Sequence, residues 1–167
     1  MIILGIDPGT AITGFGIVSE EQDGCLSVID YGVIRTKANR PQAERLLQLY
    51  KQIKELILLH QPDMGAVEKL FFERNVRTAL HVGQARGVAL LAMAEQRLKI
   101  GEYTPLEVKQ AVTGYGAADK NQVQQMVKTL LGLESIPHPD DAADALAVAI
   151  CHIHSMKIRN LSAVDLS

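Results

Sequence analysis

The chain has 167 residues, near one domain at roughly 150 residues each, and that length buries roughly two thirds of the unfolded surface without disulfides or a structural metal. Hydrophobic residues make up 47% and charged residues 22%, a globular composition that excludes disorder. The net charge of −2 argues only weakly against a polyanionic partner, and Lys69, Arg74, Arg77 and Arg86 outnumber the single acid Glu73 in their own stretch. The longest apolar runs, residues 88–94 and 145–151, fall far short of the ~18 residues of a membrane span. The N-terminus has no basic leader and is interrupted by Asp7, so no signal peptide is expected. Cys25 and Cys151 lie far apart in no CxxC pattern, which suits a reducing, cytoplasmic location; both are expected to be buried packing residues.

Residues 2–6 form a short apolar run closed by Asp7-Pro8-Gly9, a strand ending in a turn. Residues 13–19 alternate and read as a second strand, and 26–36 as a third, with Asp23-Gly24 supplying a tight hairpin turn between them. Strands joined this closely predict an antiparallel meander. The period then changes. Across 41–60, Ala43, Leu46, Leu47, Tyr50, Ile53, Leu56 and Ile57 fall on one helical stripe, which Gln61-Pro62-Asp63 stops. Residues 64–67 read as a short buried strand ending at Glu68. Residues 75–98 read as a long helix in which Gly83, Ala85, Gly87, Ala89, Ala92 and Ala94 predict close packing on more than one face. A fifth strand over 100–103 leads into Thr104-Pro105-Leu106-Glu107, a capping box with proline at the first helical position, and that short helix ends near Gly114-Tyr115-Gly116. Asp119 to Gln122 is a second capping box, opening a helix to about Leu131. Pro137-His138-Pro139 introduces a last helix from Asp140 to about Met156, with a frayed tail over 157–167. The order βββαβαβαα, plus the capped short helix, predicts an α/β fold: a mixed five-stranded sheet covered by helices on both faces, one domain over 1–156.

The acids stand out for where they fall. Asp7 ends the first strand and Glu68 the fourth. Asp141 and Asp144 lie three apart on the last helix, a spacing that sets Cβ atoms ~5–6 Å apart on one face. Asp140 with Asp144 is an equally good pair, and periodicity does not choose between them. Singly, each acid has an ordinary reading as a turn former, a solvated strand end or a helix N-terminal charge. Gathered in one cleft, the carboxylates would repel and raise each other's pKa unless a cation neutralises them. Such hard oxygen ligands select Mg²⁺ or Mn²⁺. Two such ions ~3.5–4 Å apart suit phosphodiester hydrolysis. Phe71 and Phe72 follow Glu68 closely and precede Arg74 and Arg77, the pattern of an aromatic that stacks on an unpaired base. Lys109 and Lys120 lie near helix starts and the 114–116 loop, where phosphate contacts are natural. There is no P-loop, no complete dinucleotide fingerprint and no hydrolase nucleophile motif; His152 and His154, two apart, fall on different helix faces and make a poor zinc pair.

These blocks together resemble a known family. Ile-Leu-Gly-Ile-Asp7-Pro-Gly-Thr, Glu68-Lys-Leu-Phe71, Gly83-Gln-Ala-Arg-Gly87, Val108-Lys109-Gln-Ala-Val-Thr-Gly114-Tyr-Gly116, Lys120-Asn-Gln-Val-Gln-Gln-Met126-Val and Asp141-Ala-Ala-Asp144-Ala-Leu-Ala are similar, in order, to the Holliday-junction resolvases of the RuvC type. The resemblance implies a ribonuclease-H-like fold and a metal-dependent endonuclease that nicks four-way DNA junctions in recombination and repair. It implies catalytic and metal-holding roles for Asp7, Glu68, Asp141 and Asp144, two Mg²⁺ per site with Mn²⁺ as a substitute, and thereby Asp141 over Asp140. DNA contacts are implied for Phe71, Lys109 and Lys120, with Phe72, Arg74 and Arg77 beside them. A homodimer contact is implied for the helix bearing Gly83, Arg86 and Gly87, and a branch-migration helicase complex of the RuvA/RuvB type as partner. Some members carry His where this chain has Asp141, which leaves no imidazole there to move protons. Sugar-kinase and actin-type ATPases share the opening strand–Asp-x-Gly-Thr–strand but need a second similar domain. A non-catalytic junction- or RNA-binding module would not need the acidic quartet.

Overall fold

A computed structural model of the chain describes residues 1–69 and 76–164, with side chains for all of these except 76–78 and 159–164. The elements in order are β1 (Ile2–Asp7), β2 (Ile12–Glu20), β3 (Leu26–Arg35), α1 (Gln42–His60), β4 (Met64–Glu68), α2 (Val76–Glu95), β5 (Lys99–Tyr103), α3 (Pro105–Thr113), α4 (Lys120–Leu130) and α5 (Asp140–Val164). The sheet order is β3-β2-β1-β4-β5. β1, β2 and β3 form the expected antiparallel meander, while β4 and β5 add in parallel beside β1.

The apolar alternation of the strands divides the core in two. Leu4, Ile6, Ile17 and Val67 face α1 and α2, where they meet Leu49, Ile53, Ala89 and Met93. Ile3, Val18 and Ala66 face the other way, onto α3, α4 and the buried stretch of α5 from Leu146 to Ile153. Each large side chain fully buried this way contributes roughly 1.5–3 kcal/mol, so both layers are needed to hold the sheet.

Local chemistry sets most element ends. Both capping boxes form: Thr104 accepts from the Glu107 amide at the head of α3, and Asp119 from the Gln122 amide at the head of α4. Such caps are typically worth about 1 kcal/mol. α2 stops at Glu95, before the expected Leu98. Arg97 takes a left-handed conformation (φ 59°), its amide donates to Ala94 and the Leu98 amide to Met93, a Schellman end without glycine to announce it. The β2–β3 turn is wider than the expected two-residue hairpin: Glu21 and Cys25 are bonded across the three residues Gln22, Asp23 and Gly24, with Gly24 at φ 86°. At the other end of the chain, α5 continues past Met156 to Val164 where a frayed tail is expected, because no glycine or proline follows Asp140 to end it. Cys151 is buried as expected, but Cys25 is exposed in the turn.

Candidate active site at the strand ends

β1 and β4 run side by side in the same direction, paired as far as Ile6 with Val67. Asp7 and Glu68 are the next residues on each, so they stand on adjacent strands ~4.8 Å apart. By alternation Asp7 shares a face with Ile3 and Gly5, and Glu68 with Ala66, the face covered by α5. That helix runs back along β1 from its N-terminus at the same end. Glycines let it lie close: a Cβ on Gly14 would strike the Asp141 carbonyl, and one on Gly5 would strike the Ala145 carbonyl and lie 2.8 Å from the Ala149 nitrogen. Gly14 is paired with Asp7. The first turn of α5, with Asp141 and Asp144, is thereby fixed above the two strand-end acids. Asp140 turns elsewhere, accepting from Gln124 Nε2 at 3.1 Å and pairing with Lys120.

The electrostatics are those of a crowded carboxylate site. Burial pushes Asp7 up to about 7, reinforced by the charges of Glu68, Asp144 and Asp141 and opposed by Lys120. Burial and then Asp144 push Glu68 up to about 7, against Lys109 and Lys120. Asp144 is raised too, by burial first, although Lys120 pulls it down. The Lys120 ammonium lies 3.1 Å from Asp144 and 3.2 Å from Asp140. Burial works against its charge, but these two carboxylates outweigh that and hold its pKa above the ordinary value. A cleft of about 270 Å³ opens here, lined by Glu68, Asp144, Lys109 and Lys120 with Val108 and Val123 as apolar wall.

The donor set fits a hard divalent cation: carboxylate oxygens only, mutually repelling, with a cation already seated on Asp144. Among the described residues no three acidic, His or Cys side chains converge on one point, and Asp144 is engaged by the Lys120 ammonium. That pair is half exposed, and such pairs are worth only ~0–1 kcal/mol.

The family profile for "Crossover junction endodeoxyribonuclease RuvC" matches residues 3–152. The chain belongs to the RuvC family. It is 59% identical over 160 residues to the crossover junction endodeoxyribonuclease RuvC of Desulfitobacterium hafniense, covering 96% of both chains. With that of Caldicellulosiruptor saccharolyticus it shares 55% over 155 residues, 93% of each. The Thermus thermophilus RuvC structure superposes with a TM-score of 0.88 at 36% identity, over 95% of this chain and 96% of that one. The same protein in complex with a Holliday junction substrate gives 0.90 at 35% identity over the same shares. The fold is therefore the ribonuclease-H-like one, and the activity that comes with the family is endonucleolytic cleavage at crossover junctions, chemistry that implies a divalent metal. Among the described residues no helix is long and apolar enough to cross a membrane.

In this RuvC-family chain the other sequence-predicted residues fall in several places. Lys109 and Lys120 line the acid cleft. Phe71, Phe72 and Arg74 lie outside the described residues, as does the side chain of Arg77. Arg86 is turned inward rather than outward: its Nε donates to the Glu68 carbonyl at 3.3 Å and its guanidinium pairs with Glu102, bracing the ends of β4 and β5. Its bonds hold the backbone under Glu68, a role its sequence position does not signal. Gly83 is half-buried, and Gly87 is exposed with open space over it. With Gly87 on the outer face of α2 stand Leu80 and Leu91, each 61% exposed, and Gln84 and Ala94, at heptad-like spacing.

Proposed function

We propose that Asp7, Glu68, Asp141 and Asp144 form the cutting site of a single nuclease domain over residues 1–156, which resolves four-way junctions by paired symmetric nicks. The observation that carries this reading is the seating of the first turn of α5 on Gly14, beside two strand-end acids whose ionisation is opposed by burial and by their neighbours' charges. The quartet would hold two Mg²⁺, with Mn²⁺ able to substitute. Bound there, the ions supply an activated water and stabilise the departing 3′ oxygen, which leaves 5′-phosphate and 3′-hydroxyl ends. The four carboxylates neutralise and orient that charge, and the apolar wall of Val108 and Val123 limits water. Lys109 and Lys120 would meet the phosphates flanking the cut, and Lys120, now held by Asp144 and Asp140, is placed to serve DNA instead. Phe71 stacks on a base opened at the crossover, flanked by Phe72, Arg74 and Arg77.

The outer stripe of α2 supports a homodimer. Leu80, Gly87 and Leu91 form an exposed apolar stripe on α2, and glycine lets two helices approach closely. A two-fold dimer presents one site to each of two strands of like polarity, so both are cut. A cytoplasmic location and a branch-migration helicase of the RuvA/RuvB type fit this activity. The test is cleavage of a synthetic mobile junction beside a matched linear duplex, in Mg²⁺ and in EDTA. Paired Mg²⁺-dependent nicks in the junction alone are expected; equal cutting of the duplex, or cutting in EDTA, would contradict the reading.

A further inference from the structure

Away from the acids, the strongest unassigned feature is a basic patch. Residues 35–45 hold Arg35, Lys37, Arg40 and Arg45 against one acid, Glu44, in a chain whose net charge is −2. The fold gathers this segment. Arg35 closes β3, Lys37 and Arg40 sit on the link to α1, and with Glu44 and Gln48 they line a shallow cleft of about 280 Å³. The link is well fastened. The Arg40 amide donates to the Lys37 carbonyl at 3.1 Å, Gln48 Nε2 to the Arg35 carbonyl at 3.0 Å, and Arg45 Nε to Thr36 Oγ1 at 2.8 Å. Arg35, Lys37 and Arg40 are all exposed. Glu44 answers only Arg40, at 3.4 Å in an i,i+4 pair that water makes weak, and among the described residues no ion pair holds Arg35 or Lys37.

The position of the patch gives it meaning. β3 and β1 are both antiparallel to β2, so β3 ends at the same end of the sheet as Asp7. The Thr36 amide donates to the Ala11 carbonyl at 3.1 Å and its hydroxyl to the Thr10 carbonyl at 2.5 Å, joining the patch to the loop that follows Asp7. Asp7, Gly14 and Val33 lie in register across three strands. Two strand spacings across and two residues along place the Arg35 Cα about 12 Å from the Asp7 Cα. Lys109 and Lys120 line the cleft on the Glu68 side of the acids.

We propose that Arg35, Lys37 and Arg40 form a second phosphate-binding patch, which grips the DNA backbone of a junction arm on the β3 side of the cutting site. The proposal rests on the nuclease reading above. Measured along a duplex axis at 3.4 Å of rise per nucleotide, 12 Å spans at most roughly three to four nucleotides. Three exposed cations without firm partners, fixed to the loop that carries the catalytic strand end, match a run of phosphates in charge. Gripping DNA on both sides of the acids would hold the scissile phosphate over them.

The test compares the whole protein with R35A/K37A/R40A, and with K51A/K99A as a control that removes charge from the middle of α1 and from the far end of the sheet. Junction affinity is measured against salt in Ca²⁺, and cleavage in Mg²⁺ at saturating protein. Because each phosphate contact adds about 0.9 to the slope of log affinity against log salt, the triple variant should lose about 2–3 from that slope. Between 50 and 200 mM salt that removes roughly a 40-fold dependence. The control should keep its slope, and the triple variant should still cut bound junction. An unchanged slope in the triple variant, or an equal loss per charge in the control, overturns the patch while wild-type cutting leaves the nuclease reading standing. A wild-type chain that neither binds nor cuts the junction overturns both.

Discussion

On the α5 face of the sheet, Gly5, Gly14 and Gly16 let a helix backbone rest directly on the strands, and the helix answers with Ala142, Ala143, Ala145 and Ala149. On the α1–α2 face, Leu4, Ile6 and Ile17 meet Leu49, Ile53 and Met93 through their side chains. Contact through backbone leaves almost no freedom of height or register, so it locates Asp141 and Asp144 over Asp7. Contact through flexible side chains tolerates adjustment, and on that side the outer surface of α2 is left open with Leu80 and Leu91 exposed. One face fixes the position of the acids; the other buries area and leaves Leu80 and Leu91 exposed, the surface proposed to meet a second copy.

The largest expected effect comes from the acids themselves. Glu68→Gln should lower junction cleavage by roughly 10³-fold or more in a single-turnover assay, the loss expected if Glu68 holds the ion as proposed. Next is the contrast between the two faces. Gly14→Ala drives a Cβ into the Asp141 carbonyl, which is backbone and cannot yield, whereas Gly65→Ala meets only the thioether of Met93, which can turn away. Urea melts should show a loss of about 2–4 kcal/mol for the first and about 1 kcal/mol or less for the second. Equal losses would break the distinction between the faces.

A smaller effect follows from charge. The carboxyls of Asp7 and Glu68 are raised from 3.8 and 4.5 to about 7 in the folded chain. A raised folded-state pKa means the stability these groups allow is fully present below about pH 4 and is lost as pH rises through about 7. Without divalent ions the protein should therefore weaken between pH 4 and 8, and Asp7→Asn should recover on the order of 2 kcal/mol at pH 8 and nothing at pH 4. Added Mg²⁺ should stabilise the wild type at pH 8 far more than the variant. The smallest change concerns the open face: Leu91→Glu should leave the melt of the monomer within about 0.5 kcal/mol, yet shift sedimentation from dimer to monomer at micromolar protein. A dimer that survives Leu91→Glu would move the contact off this stripe.

Much of this was legible in the residues. Strand ends are marked by Asp7-Pro8-Gly9 and Glu68, and both capping boxes sit where Thr104 and Asp119 announce them, because caps and turns are local chemistry. Spacing alone leaves Asp140 and Asp141 open, since neighbours in one turn differ only in which way they face. The sequence does not show that Asp140 turns to Gln124 and Lys120 while the charge of Asp141 acts on Asp7. The end of α2 was hidden because Arg97, not glycine, takes the left-handed position. Cys25 reads as a core residue by type but falls in a turn. The cluster around Arg35 is split among a strand end, a link and a helix start inside a net-negative chain, so only the fold unites it. Leu80 and Leu91 read as packing on a helix rich in alanine, and their exposure emerges only once Ala85, Ala89 and Ala92 are seen to take the buried side.

The strand-end acids and the first turn of α5 are proposed to act as one cation-holding, cutting site. The most direct measurement is binding and cleavage of the same four-way junction by wild type and Asp7→Asn at pH 8 with Mg²⁺. Asp7→Asn should bind the junction with wild-type affinity within a few-fold and produce no paired nicks. Undiminished cutting by Asp7→Asn would contradict the site.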